Sequence, residues 1–129
     1  MLVVLDTNVL VSALWSRGGS PSHVLSLAIN GHILPCHDYR ILAEYREVLR
    51  RPRFDFKEWE IADFLTNIEN SGISVVASPI ALPFADEDDK KFYEVAKHCG
   101  VKLITGNKKH FPLDGIVISA ADFLVEFTC

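Results

Sequence analysis

Asp6 is the first residue equipped for chemistry. The apolar run 2–5, Leu-Val-Val-Leu, leads straight into it, and another apolar stretch follows at once. A β-branched run without polar alternation reads as a strand buried on both faces of a parallel sheet. Asp6 then stands at the strand's carboxyl end, where open α/β sheets bind ligands. A buried carboxylate is costly unless a cation, hydrogen bonds or a proton compensates it. Glu44 borders a second apolar element, the helical stripe Ile41, Leu42, Tyr45, Val48 and Leu49, while Glu47 points away. In the run Asp86-Glu87-Asp88-Asp89, Asp89 shares a helical face with Phe92, Ala96 and Cys99. That face is expected to be the core face, with Lys90, Glu94 and Lys97 on the solvated side. Asp88 reads as a helix N-cap or a ligand, Asp86 as a loop acid, a cap or a ligand, and Glu87 as solvent-facing.

Thr105-Gly106-Asn107 follows a second apolar strand. Gly106 permits a tight turn or a close approach. Asn107 is either an amide at a strand end or a turn asparagine in a left-handed conformation. Asn8 could cap the first helix or orient Asp6; Ser12 could reach the same cleft or bond to its own helix. Carboxylates converging at strand ends repel one another, and hard divalent cations such as Mg²⁺ relieve that repulsion. Two such ions, ~4 Å apart, can activate water and stabilise both oxygens of an in-line phosphodiester displacement. A glycosidase needs only two carboxylates, and a doubly wound topology with a strand-end asparagine fits it less well.

The elements that must position these residues alternate. Strands are expected at 2–5, 33–36, 73–77, 101–105 and 115–119, and helices at 8–15, 22–30, 39–51, 57–70, 88 or 89 to 99, and 120–127. Ser20 and Pro21 suit the start of the second helix, and Asp38 can cap the third, which Pro52 stops. Gly100 closes the fifth. This alternation means α/β with a mainly parallel central sheet. With 129 residues and 49% hydrophobic content, the expectation is one domain, residues 1–129, with a full core. No apolar run approaches the ~20 residues of a membrane span, and the start lacks signal-peptide features. Cys36, Cys99 and Cys129, without a CxxC pair, read as reduced thiols of a cytoplasmic protein. The net charge of −4 argues against a simple basic nucleic-acid binder but not against a metal-dependent nuclease.

In their order, the segments Val3-Val4-Leu5-Asp6-Thr7-Asn8, Ile41-Leu42-Ala43-Glu44-Tyr45, Asp86 to Phe92 before Ala96, and Leu103-Ile104-Thr105-Gly106-Asn107 resemble the PIN-domain ribonucleases. The resemblance runs from Val3 to about Phe123 and is nearest to VapC-type members. It implies a three-layer α/β/α sandwich with a five-stranded parallel sheet, and Mg²⁺- or Mn²⁺-dependent cleavage of single-stranded RNA. It also implies the toxin role of a prokaryotic toxin–antitoxin pair, with an antitoxin protein and a second copy as partners. Asp6, Glu44 and Asp89 carry over as metal-binding acids, with Asp86 as an addition and Thr105, Asn8 and Ser12 in support. Asn107 departs from the pattern, since many members carry Asp there; it keeps an oxygen but loses a charge, which puts a second ion in question.

Arg46, Arg50, Arg51 and Arg53 form a basic strip, and Lys108, Lys109 and His110 follow Asn107; each is a phosphate contact or a solvated charge. Trp15 and Trp59 are base-stacking candidates or core residues. Two rivals remain: a phosphatase of the haloacid dehalogenase class, which needs an Asp where Asn8 stands, and a noncatalytic module that binds RNA or a protein partner.

Overall fold

In the computed structural model, which describes residues 1–128, the apolar run becomes the central strand, β1 (Leu2–Leu5). Cys129, expected as a reduced thiol, lies outside the described residues. β1 pairs in parallel with β2 (Leu34–His37) on one side and β4 (Lys102–Ile104) on the other. β3 (Ile73–Ser74) extends the sheet beyond β2, and β5 (Val117–Ile118) extends it beyond β4, both in parallel. The strand order is therefore β3-β2-β1-β4-β5. Flanked on both sides, Val3, Val4 and Leu5 are wholly buried, and each such side chain contributes roughly 1.5–3 kcal/mol relative to exposure.

The helices are α1 (Thr7–Trp15), α2 (Ser20–Ile29), α3 (Tyr39–Leu49), α4 (Glu58–Ser71), α5 (Lys90–Cys99) and α6 (Ala120–Thr128). The chain steps from β1 outward to β3, then back across the sheet to β4. Right-handed crossovers in opposite directions place their helices on opposite faces. Accordingly α2 packs with α1, α4 and α6, while α5 lies across β1, β2 and β4. This is the three-layer α/β/α arrangement expected from the sequence. α3 touches α1, α4 and α5 and so joins the two helical layers.

Asp38 caps α3 as expected, its Oδ1 accepting the Ile41 N–H at 2.9 Å. Gly100 closes α5 in a left-handed conformation, φ +67°, which glycine adopts without steric cost. Gly72 closes α4 for a different reason: a Cβ there would lie 2.5 Å from the Pro35 carbonyl oxygen. Several local expectations shift: β4 and β5 are shorter than the expected 101–105 and 115–119. Gly19, not Ser20, occupies the cap position of α2. β3 is two exposed residues rather than the expected 73–77, because it is a sheet edge and pairs only with β2.

Glu94 corrects a larger expectation. Placed by periodicity on the solvated face of α5, it is in fact 4% exposed. Its Oε1 pairs with Arg40 Nη1 at 2.8 Å, and its Oε2 accepts the Ile80 N–H at 2.7 Å. Arg40 also pairs with Asp38 at 2.7 Å. One guanidinium thus ties the α3 cap, the middle of α5 and the loop preceding α5. Glu94→Ala would leave the Ile80 amide without its acceptor and remove one of the two carboxylates that hold Arg40. Because Arg40 keeps Asp38 and partial solvent access, the expected loss is that of an unsatisfied buried amide and one charged hydrogen bond, about 2 kcal/mol by urea unfolding. A loss no larger than the ~0.5 kcal/mol of an ordinary surface substitution would contradict this role.

Candidate metal centre

Asp6 follows β1 directly, and its amide donates to the Ile104 carbonyl at 3.0 Å, locking it beside the end of β4. Its backbone is extended, φ −67° and ψ 144°, and α1 begins at the next residue. Although Asp6 stands at the cap position, its side chain makes no cap bond. Oδ2 instead accepts the Thr105 hydroxyl at 2.7 Å. Asp6 is 5% exposed. Burial pushes its carboxyl up from 3.8 to about 6; the Thr105 bond opposes this, and the charges of Asp89 and Glu44 add to it.

Glu44, on α3, is half-buried, and both of its oxygens are engaged. The Thr7 hydroxyl donates to Oε2, and Lys91 Nζ pairs with Oε1 at 2.7 Å. Tyr45, next on α3, is fully buried and donates its hydroxyl to the Leu5 carbonyl, pinning α3 to the end of β1.

Asp89 precedes α5 at the end of the 3-10 turn Glu87–Asp89. Its Oδ2 is buried without a hydrogen-bond partner; His110 Nδ1 stands 3.4 Å away. Burial, followed by the Asp86 charge, raises its carboxyl pKa, against the pull of His110. Asp86 is exposed and takes the cap role weighed for Asp88, its Oδ1 accepting the Asp88 N–H at 3.0 Å. Asp88 and Glu87 are exposed.

Asn107 is exposed, with φ −129°, so the left-handed turn reading does not apply. Its amide donates to Thr105 Oγ1 at 3.0 Å. Thr105, wholly buried, therefore connects Asp6 to Asn107. Asn8 neither caps α1 through its side chain nor contacts Asp6: its Oδ1 accepts the Gly106 N–H at 3.0 Å and latches the loop after β4 to α1. Ser12 is exposed on α1. Lys108, Lys109 and His110 form an exposed 3-10 turn directly after Asn107.

Three arginines of the strip are engaged with glutamates, and Arg53 lies over the Phe54 ring. Arg46 pairs with Glu69, Arg50 with Glu58 at 2.8 Å, and Arg51 with Glu47 at 3.1 Å. Trp15 and Trp59 are 60% and 67% exposed rather than core. Trp15 stacks edge-on against Phe54 and Phe56. Sequence reasoning missed Thr7, Lys91 and the Tyr45 hydroxyl. Lys91 had one signal, since it lies a helical turn before buried Val95.

Among the described residues, no group of three acidic, histidine or cysteine side chains is arranged to hold an ion as it stands. The donor chemistry nevertheless fits a hard divalent cation: all candidate ligands are oxygens, Asp6 and Asp89 are destabilised as anions, and one Asp89 oxygen lacks a partner. A parallel doubly wound sheet with Asp6 at the carboxyl end of its central strand, and Glu44 and Asp89 brought in from α3 and the start of α5, defines an α/β protein of the class that binds ligands at that edge. The chain belongs to the PIN-domain family, whose sequence model matches residues 2–109. PIN domains are generally nucleases, and they typically use divalent metals. The chain is also similar to the uncharacterized protein MJ1680 of Methanocaldococcus jannaschii, 34% identical over 111 residues covering 82% of this chain and 70% of that protein. No solved structure matches. Among the described residues, no helix is long and apolar enough to cross a membrane.

The raised Asp6 carboxyl has a measurable consequence. Unfolded, it loses its proton near 3.8; folded, it keeps the proton until about 6. Between those values the folded state binds more protons, so in EDTA stability falls as pH rises through this window, by of order 3 kcal/mol for this group. Asp6→Asn should remove that part of the slope and be the more stable form at pH 7.5. Urea melts of both proteins across pH 4–7.5 check this; parallel curves would contradict it.

Proposed function

We propose that this protein, as one PIN-like domain over residues 1–129, is a divalent-metal-dependent endoribonuclease that hydrolyses phosphodiesters of single-stranded RNA. The observation that carries the reading is the buried Asp6 carboxyl, raised to about 6 by burial and by the charges of Asp89 and Glu44. Asp6, Glu44 and Asp89 would hold Mg²⁺ or Mn²⁺, with Asp86 adding charge at the rim. The bound ion supplies Lewis-acid stabilisation of the phosphate and a more acidic water.

The chain's own residues do the rest. Thr105 orients Asp6, and Thr7 orients Glu44. Asn107 offers an amide to the attacking water or a phosphate oxygen. Lys108 and Lys109, exposed beside Asn107, suit contacts to the RNA backbone. Arg46 and Arg50 would have to exchange glutamate partners for phosphate. On the strength of the motif resemblance, the same proposal makes the chain a cytoplasmic, VapC-like toxin. Its partners would be an antitoxin protein and a second copy of itself.

A second reading, a PIN module that binds RNA or a protein without cutting, is favoured by two features: neutral Asn107, and the Lys91 ammonium on Glu44. A phosphatase is disfavoured, because the position that would need a second Asp holds Asn8, which is tied to Gly106.

Purified protein incubated with single-stranded RNA should cleave with Mn²⁺ or Mg²⁺ and stop in EDTA. Asp6→Asn should lower the rate ~100-fold or more, and Thr105→Val about 10- to 100-fold, as for a residue that orients a metal ligand. Intact RNA under every metal condition, from folded protein free of bound inhibitor, would favour the noncatalytic module. Asn107→Asp would then show whether the missing acid is responsible.

A further inference from the structure

Lys91 is the second residue of α5, and its side chain is only 12% exposed. Lysines are seldom buried to this degree unless paired. Its ammonium lies 2.7 Å from Glu44 Oε1, donates to the Asp88 carbonyl, and stands 5.2 Å from the centre of the Phe92 ring. Three partners, from α3, the 3-10 turn and α5 itself, hold it in place. Withdrawing it would leave Glu44 with a single neutral donor, Thr7.

The charges count in a definite way. Asp6, Glu44 and Asp89, the three acids withdrawn from water, bring −3, and Lys91 brings +1, leaving −2, which one divalent ion balances; Asp86 lies at the exposed rim, where water and salt screen its charge. Asn107 contributes no charge. The oxygen without a partner is on Asp89, whereas both Glu44 oxygens are engaged. Demand for an external cation is therefore concentrated on the Asp6–Asp89 side of the site.

We propose that Lys91 is a built-in second cation: one divalent ion is held among Asp6, Asp89 and Glu44, and the Lys91 ammonium, fixed on Glu44 Oε1, supplies the positive charge that a second ion would otherwise bring. Lys91 is thus a positioning and charge-balancing residue. It sets the metal stoichiometry of the site at one. This inference rests on the metal-dependent nuclease reading.

The test is equilibrium dialysis of Mn²⁺ at pH 7.5, with thermal melting in parallel, on wild type, Lys91→Met, Lys91→Arg and Asp6→Asn. Wild type should bind one Mn²⁺ per chain, Lys91→Met two, and Lys91→Arg one. The Mn²⁺-induced rise in Tm should be larger for Lys91→Met than for wild type. Two ions on wild type would overturn the role of Lys91 while leaving the nuclease reading intact, and that result does not depend on any variant folding. One ion on Lys91→Met, bound with wild-type affinity, would also overturn it. No Mn²⁺ on wild type, and no difference from Asp6→Asn, would overturn the metal-dependent reading itself.

Discussion

The Asp6 carboxylate is held out of water at the end of the central strand, and the neighbouring elements are arranged around that constraint. β1 is flanked by β2 and β4, and the Asp6 amide is bonded to Ile104, so the backbone cannot carry the side chain toward solvent. Its fixed side-chain partner is a neutral hydroxyl, Thr105, while the two nearest acids act against its ionisation. A carboxylate kept in this state has unsatisfied demand for positive charge. That demand is what distinguishes this strand end, as a candidate cation site, from an ordinary helix start.

Rigidity around the site comes from interactions that do not neutralise it. Tyr45 binds a backbone carbonyl of β1, Asn8 binds a backbone amide of the β4 loop, and Thr7 supplies a hydroxyl to Glu44. All are neutral donors or acceptors, so they fix geometry without discharging the acids. The strong charge pairs lie further off. Arg40 bridges Asp38 and Glu94. Lys97, with the Tyr93 hydroxyl, holds the Asp114 carboxyl down at about 2 and ties the end of α5 to the loop before β5. Among the described residues, Lys91 is the ammonium paired with an acid of this group, and it engages Glu44 rather than Asp6.

The surface follows the same division. Arg46, Arg50 and Arg51 are paired with glutamates, so the basic strip of α3 carries little net field. Lys108 and Lys109 are exposed directly beside the site. A negatively charged chain that acts on a polyanion depends on where its cations stand rather than on its total charge.

Much of this was legible in the residues themselves. The alternation of elements, the Asp38 cap and the Gly100 stop are local signals, because backbone propensity and capping act over a turn or two. Asp6, Glu44 and Asp89 could be singled out as candidates because a carboxylate in line with or bordering apolar neighbours is anomalous whatever the rest of the chain does. Glu94 and Lys91 were not legible in that way. Each is a charge on a helix of mixed character, and whether it meets water or a partner depends on α3, whose residues lie about fifty positions away. Trp15 and Trp59 show the reverse case, large apolar rings left mostly exposed, Trp15 with only Phe54 and Phe56 against its edge. By itself the sequence determined the order of the elements and that Asp6 stands at the end of a buried strand, since such patterning is a property of one element. Only the tertiary structure decided which charge meets which, because that depends on how separate elements pack.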